Sequence, residues 1–201
     1  MIREKIALDI DDVLLGTTDA VRCYVNKRTG HELQPEHYRA PGSYWGYYEQ
    51  VWNKAGIEDV GYNTLFHEEL AQGLVKVMPV EGAVQGIAEL AKYYDLAAVT
   101  SRPAELRAIT RACLDNLFPG FLPQVVHLGH SASAKQTKGE ACEELGAKWL
   151  ADDNIDHCKT TQGRPTEAVL FGEYGWHQDV PEWLDHRISW AGLLEFFGAQ
   201  G

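Results

Sequence analysis

Short apolar runs alternate along the chain with segments of helical spacing, and the alternation has one long interruption near its start. Residues 6–10, 96–100, 124–128, 149–151 and 168–171 read as strands, each a brief apolar run bounded by polar or turn-forming residues. Between them, Val84, Ile87, Ala91 and Tyr94 share one face of a helix predicted over 82–94. Leu106, Ile109, Cys113, Leu114 and Leu117 do the same over 104–117. Thr137 is set to cap a further helix, with Glu140 at capping-box spacing. Strand and helix alternating over about 110 residues predict an α/β fold with a parallel sheet covered on both faces. In such sheets the working residues gather at the carboxyl ends of the strands.

The interruption runs from Thr17 to Met78, roughly 60 residues, too long for a structureless loop in a compact domain. It has helical patterns of its own and is rich in aromatics, among them Tyr24, Tyr38, Tyr44, Trp45, Tyr47, Tyr48, Trp52, Tyr62 and Phe66. The prediction is a Rossmann-like core formed by residues 1–16 and 79–201. A small helical cap, residues 17–78, is inserted after the first strand and packs over the strand ends.

Composition narrows the function. With 201 residues, 45% hydrophobic and 23% charged, the chain suits one soluble domain carrying an insertion. A net charge of −11 argues against a surface that grips polymeric nucleic acid. No apolar run approaches the roughly 18 residues of a membrane span, and MIREKIALDIDD lacks the apolar core of a secretory signal. Cys23, Cys113, Cys142 and Cys158 are scattered without a CxxC pair, as expected of reduced thiols in a cytoplasmic protein. The sequence is compatible with a monomer and with a homodimer.

Four groups of reactive residues fall at or just after predicted strand ends: Asp9-Ile10-Asp11, Thr100-Ser101-Arg102, Lys138, and Asp152-Asp153. The fold would bring all four to one edge of the sheet. Two unit charges about 4 Å apart repel by roughly 4 kcal/mol at an effective dielectric near 20. Four clustered aspartates contain several such pairs, more than one lysine can offset, so a divalent cation is expected.

Other readings compete at several positions. Asp152-Asp153-Asn154 fits a turn and helix cap as well as a metal site. Lys135 could reach the same pocket as Lys138. Arg102 could touch substrate or be a surface charge. Tyr44 and Trp45, in the run YWGYY, could pack the insertion or stack on a base. His127 and His130 read as loop residues rather than a zinc site. Asp156-His157-Cys158 reads as an ordinary helical run, because sequence neighbours there do not share a face.

The segments DIDDVL, VTSRP, TKGEACEEL and WLADDN, in that order, resemble the four motifs of the haloacid dehalogenase superfamily of phosphatases. With the flanks MPVEGAVQGIAELAKYYDLAAVTSRP, VLFGEYGWHQ and HRISWAGLLEFF, they resemble more narrowly its 5'(3')-deoxyribonucleotidase group. The likeness covers about two-thirds of the chain; the insertion matches that group in position and size more than in sequence.

The resemblance implies a Mg²⁺-dependent phosphomonoesterase acting on a small phosphorylated molecule, most nearly a (deoxy)nucleoside 5'-monophosphate. Asp9 would be the nucleophile that forms an aspartyl-phosphate. Asp11 would be the acid and base, with a carboxyl that its acidic neighbours raise toward neutral pH. Thr100, Ser101 and Lys138 would bind the phosphate. Asp9, Asp152, Asp153 and the Asp11 carbonyl would hold Mg²⁺. Asp12 stands where the family often has glycine, and is expected to be solvated or to face the cap. The competing functions are phosphatase chemistry on another metabolite, carbon–halogen hydrolysis, and a binding protein without turnover. Asp11 and the Asp152-Asp153 pair count against carbon–halogen hydrolysis.

Overall fold

The computed structural model describes residues 3–58, 60–129 and 136–199. Six strands pair in parallel among these residues, in the order β3-β2-β1-β4-β5-β6. They are β1 Lys5–Leu8, β2 Asp95–Thr100, β3 Gln124–His127, β4 Ala147–Asp152, β5 Glu167–Phe171 and β6 Asp185–Arg187. The first strand sits in the middle, with β2 on one side and β4 on the other. The order therefore reverses at β1, the position where α/β sheets open a crevice beyond their carboxyl ends.

Helices α1 Thr17–Thr29, α2 Tyr47–Lys54 and α3 His67–Ala71 fill the interval after β1, with a 3-10 turn at Pro35–Arg39 and a wide turn at Tyr62–Phe66. The sheet is covered by α4 Ala83–Leu90, α5 Arg107–Leu117, α6 Lys138–Leu145, α7 Ile155–Lys159 and α8 Trp190–Phe196. The α6 capping box closes as its sequence predicts: Thr137 accepts from the Glu140 N–H, and the Glu140 carboxylate accepts from the Thr137 N–H. β6 has no counterpart among the predicted strands. Its three residues, Asp-His-Arg, carry no apolar alternation and form an edge by pairing with β5 alone.

Two apolar clusters account for most of the packing. Ile6, Leu8, Ile10, Leu14, Ile87, Leu114, Val169 and Trp190 belong to the main core, between the sheet and its helices. A second cluster, with Val21, Tyr24, Val25, Tyr38, Trp52 and Phe66, is internal to the region after β1. Trp176, from the loop after β5, completes that second cluster and ties it to the sheet. At the same junction Gly42 donates its N–H to the Gly175 carbonyl, at 3.0 Å. A Cβ at Gly175 would stand 1.9 Å from the Tyr47 hydroxyl oxygen and 2.3 Å from the Ala40 carbonyl oxygen. Only glycine allows so close an approach.

β1 ends at Leu8 rather than at Ile10. The chain leaves the ladder in a tight loop in which the N–H groups of Leu14 and Leu15 both donate to the Ile10 carbonyl. The predicted helix at 82–94 is shorter, ending as α4 at Leu90, and the one at 104–117 begins as a 3-10 turn, Ala104–Leu106.

Candidate active site

Asp9 follows the last residue of β1, Thr100 and Asp152 close β2 and β4, and Lys138 opens α6. The parallel register therefore delivers four sequence-distant side chains to one edge. Asp9 is buried and its Oδ1 accepts the Ile10 N–H at 2.7 Å. The Lys138 ammonium, 2% exposed, stands 2.7 Å from Asp9 Oδ2 and 2.7 Å from Asp152 Oδ2. Asp152 Oδ1 accepts the Asn154 N–H at 2.9 Å and lies 3.2 Å from His157 Nδ1. Both oxygens of Asp152 are thus engaged, chiefly in fixing Lys138.

The charges sort these carboxyls unequally. Burial raises Asp9 to about 6, against the pull of Lys138, so it is ionised at neutral pH. Burial works on Asp152 as well, but Lys138 and His157 outweigh it and bring it down to about 2. Asp153 is pushed well above the ordinary carboxylate range by burial and by Asp152, Asp9 and Asp12. Its backbone carbonyl accepts from Trp176 Nε1 at 3.0 Å and from His177 Nε2.

Asp11 departs from expectation. Its carboxylate is turned to Arg102, which donates from Nε to Oδ2 at 2.9 Å and from Nη2 to Oδ1 at 2.7 Å. The Thr17 hydroxyl, at the start of α1, donates to Oδ1 at 2.5 Å. Burial pulls Asp11 upward, but Arg102 and Thr17 win, so the group lies below its usual value rather than above it. A bidentate guanidinium bond outweighs the like charges nearby. Arg102 is no surface charge: it is 7% exposed, and its Nη1 donates to Thr110 at 3.3 Å.

Asp12 is buried rather than solvated. Its carboxylate accepts the Thr18 N–H at 2.9 Å and the Thr18 hydroxyl at 2.6 Å, in the first turn of α1. Its φ of +58° lies in the left-handed region, where aspartate is among the few tolerated side chains.

Thr100 is fully buried, its hydroxyl accepting the Arg102 N–H at 3.1 Å. Ser101 lines the cavity that opens from the carboxylates toward the helices after β1. That cavity has a volume of about 260 Å³, and its walls include Tyr44, Trp45, Tyr48, Tyr62 and Trp176. Among the described residues, Arg102 is the only lysine or arginine that lines it, and Asp11 already neutralises it. Trp45 is exposed, while Tyr44 is half-buried with its ring edge-on to Trp45, Trp176 and His157.

Lys135 and His130 lie outside the described residues. His127 ends β3 instead of lying in a loop. His157, read as an ordinary helical residue, reaches Asp152 because α7 starts just beyond β4 and helical side chains tilt back toward the N-terminus. That tilt is the signal the sequence held. Trp176 and Thr17 carried none.

Asp9, Asp152 and His157 offer ligand atoms that all lie within 4.8 Å of one another. The Lys138 ammonium already stands between Asp9 and Asp152, so this trio is held by a resident cation. The buried carboxyl still short of positive charge is Asp153. Hard carboxylate and carbonyl oxygens of this kind suit Mg²⁺.

No family model matches the sequence, and no curated protein does so either. Solved structures do match. A haloacid dehalogenase-like protein from Agrobacterium tumefaciens aligns over 98% of both chains, with a TM-score of 0.63 and 14% identity. YfnB of Bacillus subtilis, solved bound to magnesium, aligns over 98% of this chain and 99% of its own, at 0.61 and 14%. CbbY of Rhodobacter sphaeroides, solved with phosphate, aligns over 96% of both, at 0.56 and 16%. The chain has the haloacid dehalogenase-like α/β fold, with a helical region after β1 where a cap belongs.

Proposed function

We propose that the protein is a Mg²⁺-dependent phosphomonoesterase with an aspartyl-phosphate intermediate, and that its substrates are (deoxy)nucleoside 5'-monophosphates. The observation that carries the reading is the Asp9–Lys138–Asp152 bridge, buried at the sheet edge where Asp11, Ser101 and Asp153 line an aromatic cavity. Residues 17–78 act as the cap. Mg²⁺, held by Asp9, Asp153 and the Asp11 carbonyl, would supply charge neutralisation for the phosphoryl oxygens.

Asp9, with its carboxyl at about 6, attacks as the carboxylate. A new Asp9 O–P bond forms as the ester P–O bond breaks. Asp11 gives the leaving oxygen a proton, then takes one from the water that cleaves the aspartyl-phosphate. Arg102 and Thr17 hold Asp11 in the base form of that second step. For the first step its carboxyl must turn away from Arg102, which also restores its affinity for a proton. Lys138 and the Thr100-Ser101 turn bind the phosphoryl oxygens, and Asp152 keeps Lys138 oriented.

The cavity favours a particular leaving group. Its aromatic walls suit a ring, and among the described residues no unpaired lysine or arginine lines it to meet a carboxylate. A neutral nucleoside fits this lining better than an acidic metabolite. A net charge of −11 also argues against binding polymeric nucleic acid. The four cysteines are unpaired, in keeping with a reducing cytoplasm.

The test is phosphate release from a panel of deoxynucleoside and ribonucleoside monophosphates, sugar phosphates and phosphoglycolate, with Mg²⁺ and with EDTA. Nucleotides should be turned over fastest, phosphoglycolate poorly, and EDTA should abolish all release. No release from any phosphomonoester would refute phosphatase chemistry, and a preference for phosphoglycolate would refute the nucleotide assignment.

A further inference from the structure

Tyr44 stands out among the aromatics after β1 because its ring meets two residues that hold the acidic pair at the sheet edge. Its ring centroid lies 6.2 Å from His157 and 5.7 Å from Trp176, edge-on to both. Those two residues grip the acidic pair from either side: His157 meets the Asp152 carboxylate, and Trp176 donates to the Asp153 carbonyl. The Tyr44 ring meets both of them, and it lines the same cavity as Asp11, Ser101 and Asp153.

The groups acting on the Tyr44 hydroxyl agree with that placement. They are the carboxylates of Asp153, Asp9 and Asp152, and one donor, the Asn154 side chain. A phenol keeps its proton at neutral pH, so the group offers a neutral O–H. Asn154 is 2% exposed, and its Oδ1 is committed to the α7 N–H groups of Asp156 and His157. That commitment fixes which way the amide faces. Its Nδ2 is buried with no hydrogen-bond partner of ordinary geometry. Among the described residues, Asn154 Nδ2 is the donor that acts on the Tyr44 oxygen.

We propose that Tyr44 is a catalytic residue supplied by the cap, whose hydroxyl donates a hydrogen bond to an oxygen of the transferring phosphoryl group. A neutral donor suits this place. It stabilises an incoming anion among carboxylates without drawing one of them out of position, as a further cation would. Because Tyr44 belongs to the region after β1 and its acceptor is bound by the sheet edge, the contact links cap closure to the chemical step. It assigns the ring to the phosphate rather than to stacking on a base.

The proposal rests on the phosphatase reading, and Tyr44→Phe tests it apart from that reading. The substitution keeps the ring contacts with Trp45, Trp176 and His157 and removes only the O–H. With Mg²⁺, kcat should fall roughly ten- to a hundredfold, the fold-change of one hydrogen bond to a charged group. The loss should be the same for a nucleoside monophosphate and for p-nitrophenyl phosphate, because the contact is with the phosphoryl group. Inhibition by orthovanadate should weaken, while inhibition by the product nucleoside should not change. Unchanged kcat, or a rise in KM for the nucleotide alone, would overturn the proposal and leave Tyr44 as a packing or stacking residue. If the wild type turns over no ester, orthovanadate binding read by tryptophan fluorescence decides. Weaker binding by Tyr44→Phe would support the hydroxyl's role as an anion donor. Equal binding, or none by the wild type, would overturn it.

Discussion

Replacing Lys138 with methionine should expose the electrostatic debt that this side chain offsets. Methionine keeps the length and apolar stem but removes the charge between two buried carboxylates, each 2.7 Å from the ammonium. The ligand oxygens of Asp9 and Asp152 lie within 4.8 Å of each other, so their mutual repulsion at an effective dielectric near 20 is at least about 3.5 kcal/mol. Removing one partner of a buried ion pair typically costs about 3–5 kcal/mol, of the same order. Without divalent ions at pH 8, Lys138→Met should therefore lose about 3–5 kcal/mol of unfolding free energy.

The loss should depend on pH in a definite direction. Asp9 is raised from 3.8 to about 6, so the folded state holds a proton that the unfolded state has released between those values. Its contribution to stability falls as pH rises from about 4 to 6. Without Lys138 the carboxyl moves higher still, and by pH 5 it is protonated and the repulsion is gone. The deficit should then shrink to about 2 kcal/mol, the order of the hydrogen bonds left unmade. Urea unfolding followed by tryptophan fluorescence in EDTA, at pH 8 and at pH 5, measures both quantities. A deficit under about 1 kcal/mol at pH 8, or one that is the same at both pH values, would refute the reasoning.

Three further outcomes follow from the site. Asp12, buried with its carboxyl raised to about 7, costs stability once ionised; Asp12→Asn keeps the Thr18 cap and the positive φ, and should gain about 2 kcal/mol in thermal melts at pH 8. That gain should close toward pH 4, and a gain independent of pH would contradict the assignment. Arg102→Met frees the Asp11 carboxylate from its two-pronged partner and raises its affinity for a proton, so the basic limb of the kcat/KM profile, set by the acid of the first step, should move up by about one pH unit or more; an unmoved limb would mean Arg102 does not set Asp11. Gly175→Ala drives a Cβ to 1.9 Å from the Tyr47 oxygen and should reduce kcat/KM at least about tenfold while the circular dichroism of the core persists. Wild-type kinetics in that variant would show that this junction does not govern cap placement.

The chain's local patterns determined the scaffold. Short apolar runs marked β1 to β5 and period-3.6 spacing the helices between them, because burial is imposed residue by residue along an element. The Thr137–Glu140 box marked the start of α6, and therefore where Lys138 would stand, because capping is a bond between residues three apart. Given a parallel sheet, Asp9, Thr100, Lys138 and Asp152 had to meet at one edge. β6 escaped detection because an edge of three polar residues is defined only by the strand beside it.

Tertiary structure alone decided how the acids differ. Arg102 and Asp11 are 91 residues apart, and nothing local predicts that the guanidinium lies flat against that carboxylate. Clustering in sequence suggested a raised Asp11. Its position between Arg102 and Thr17 lowers it, while Asp9, Asp12 and Asp153, with fewer cationic partners, rise. The charge state of a buried group is a sum over neighbours in space, and sequence order does not contain that sum.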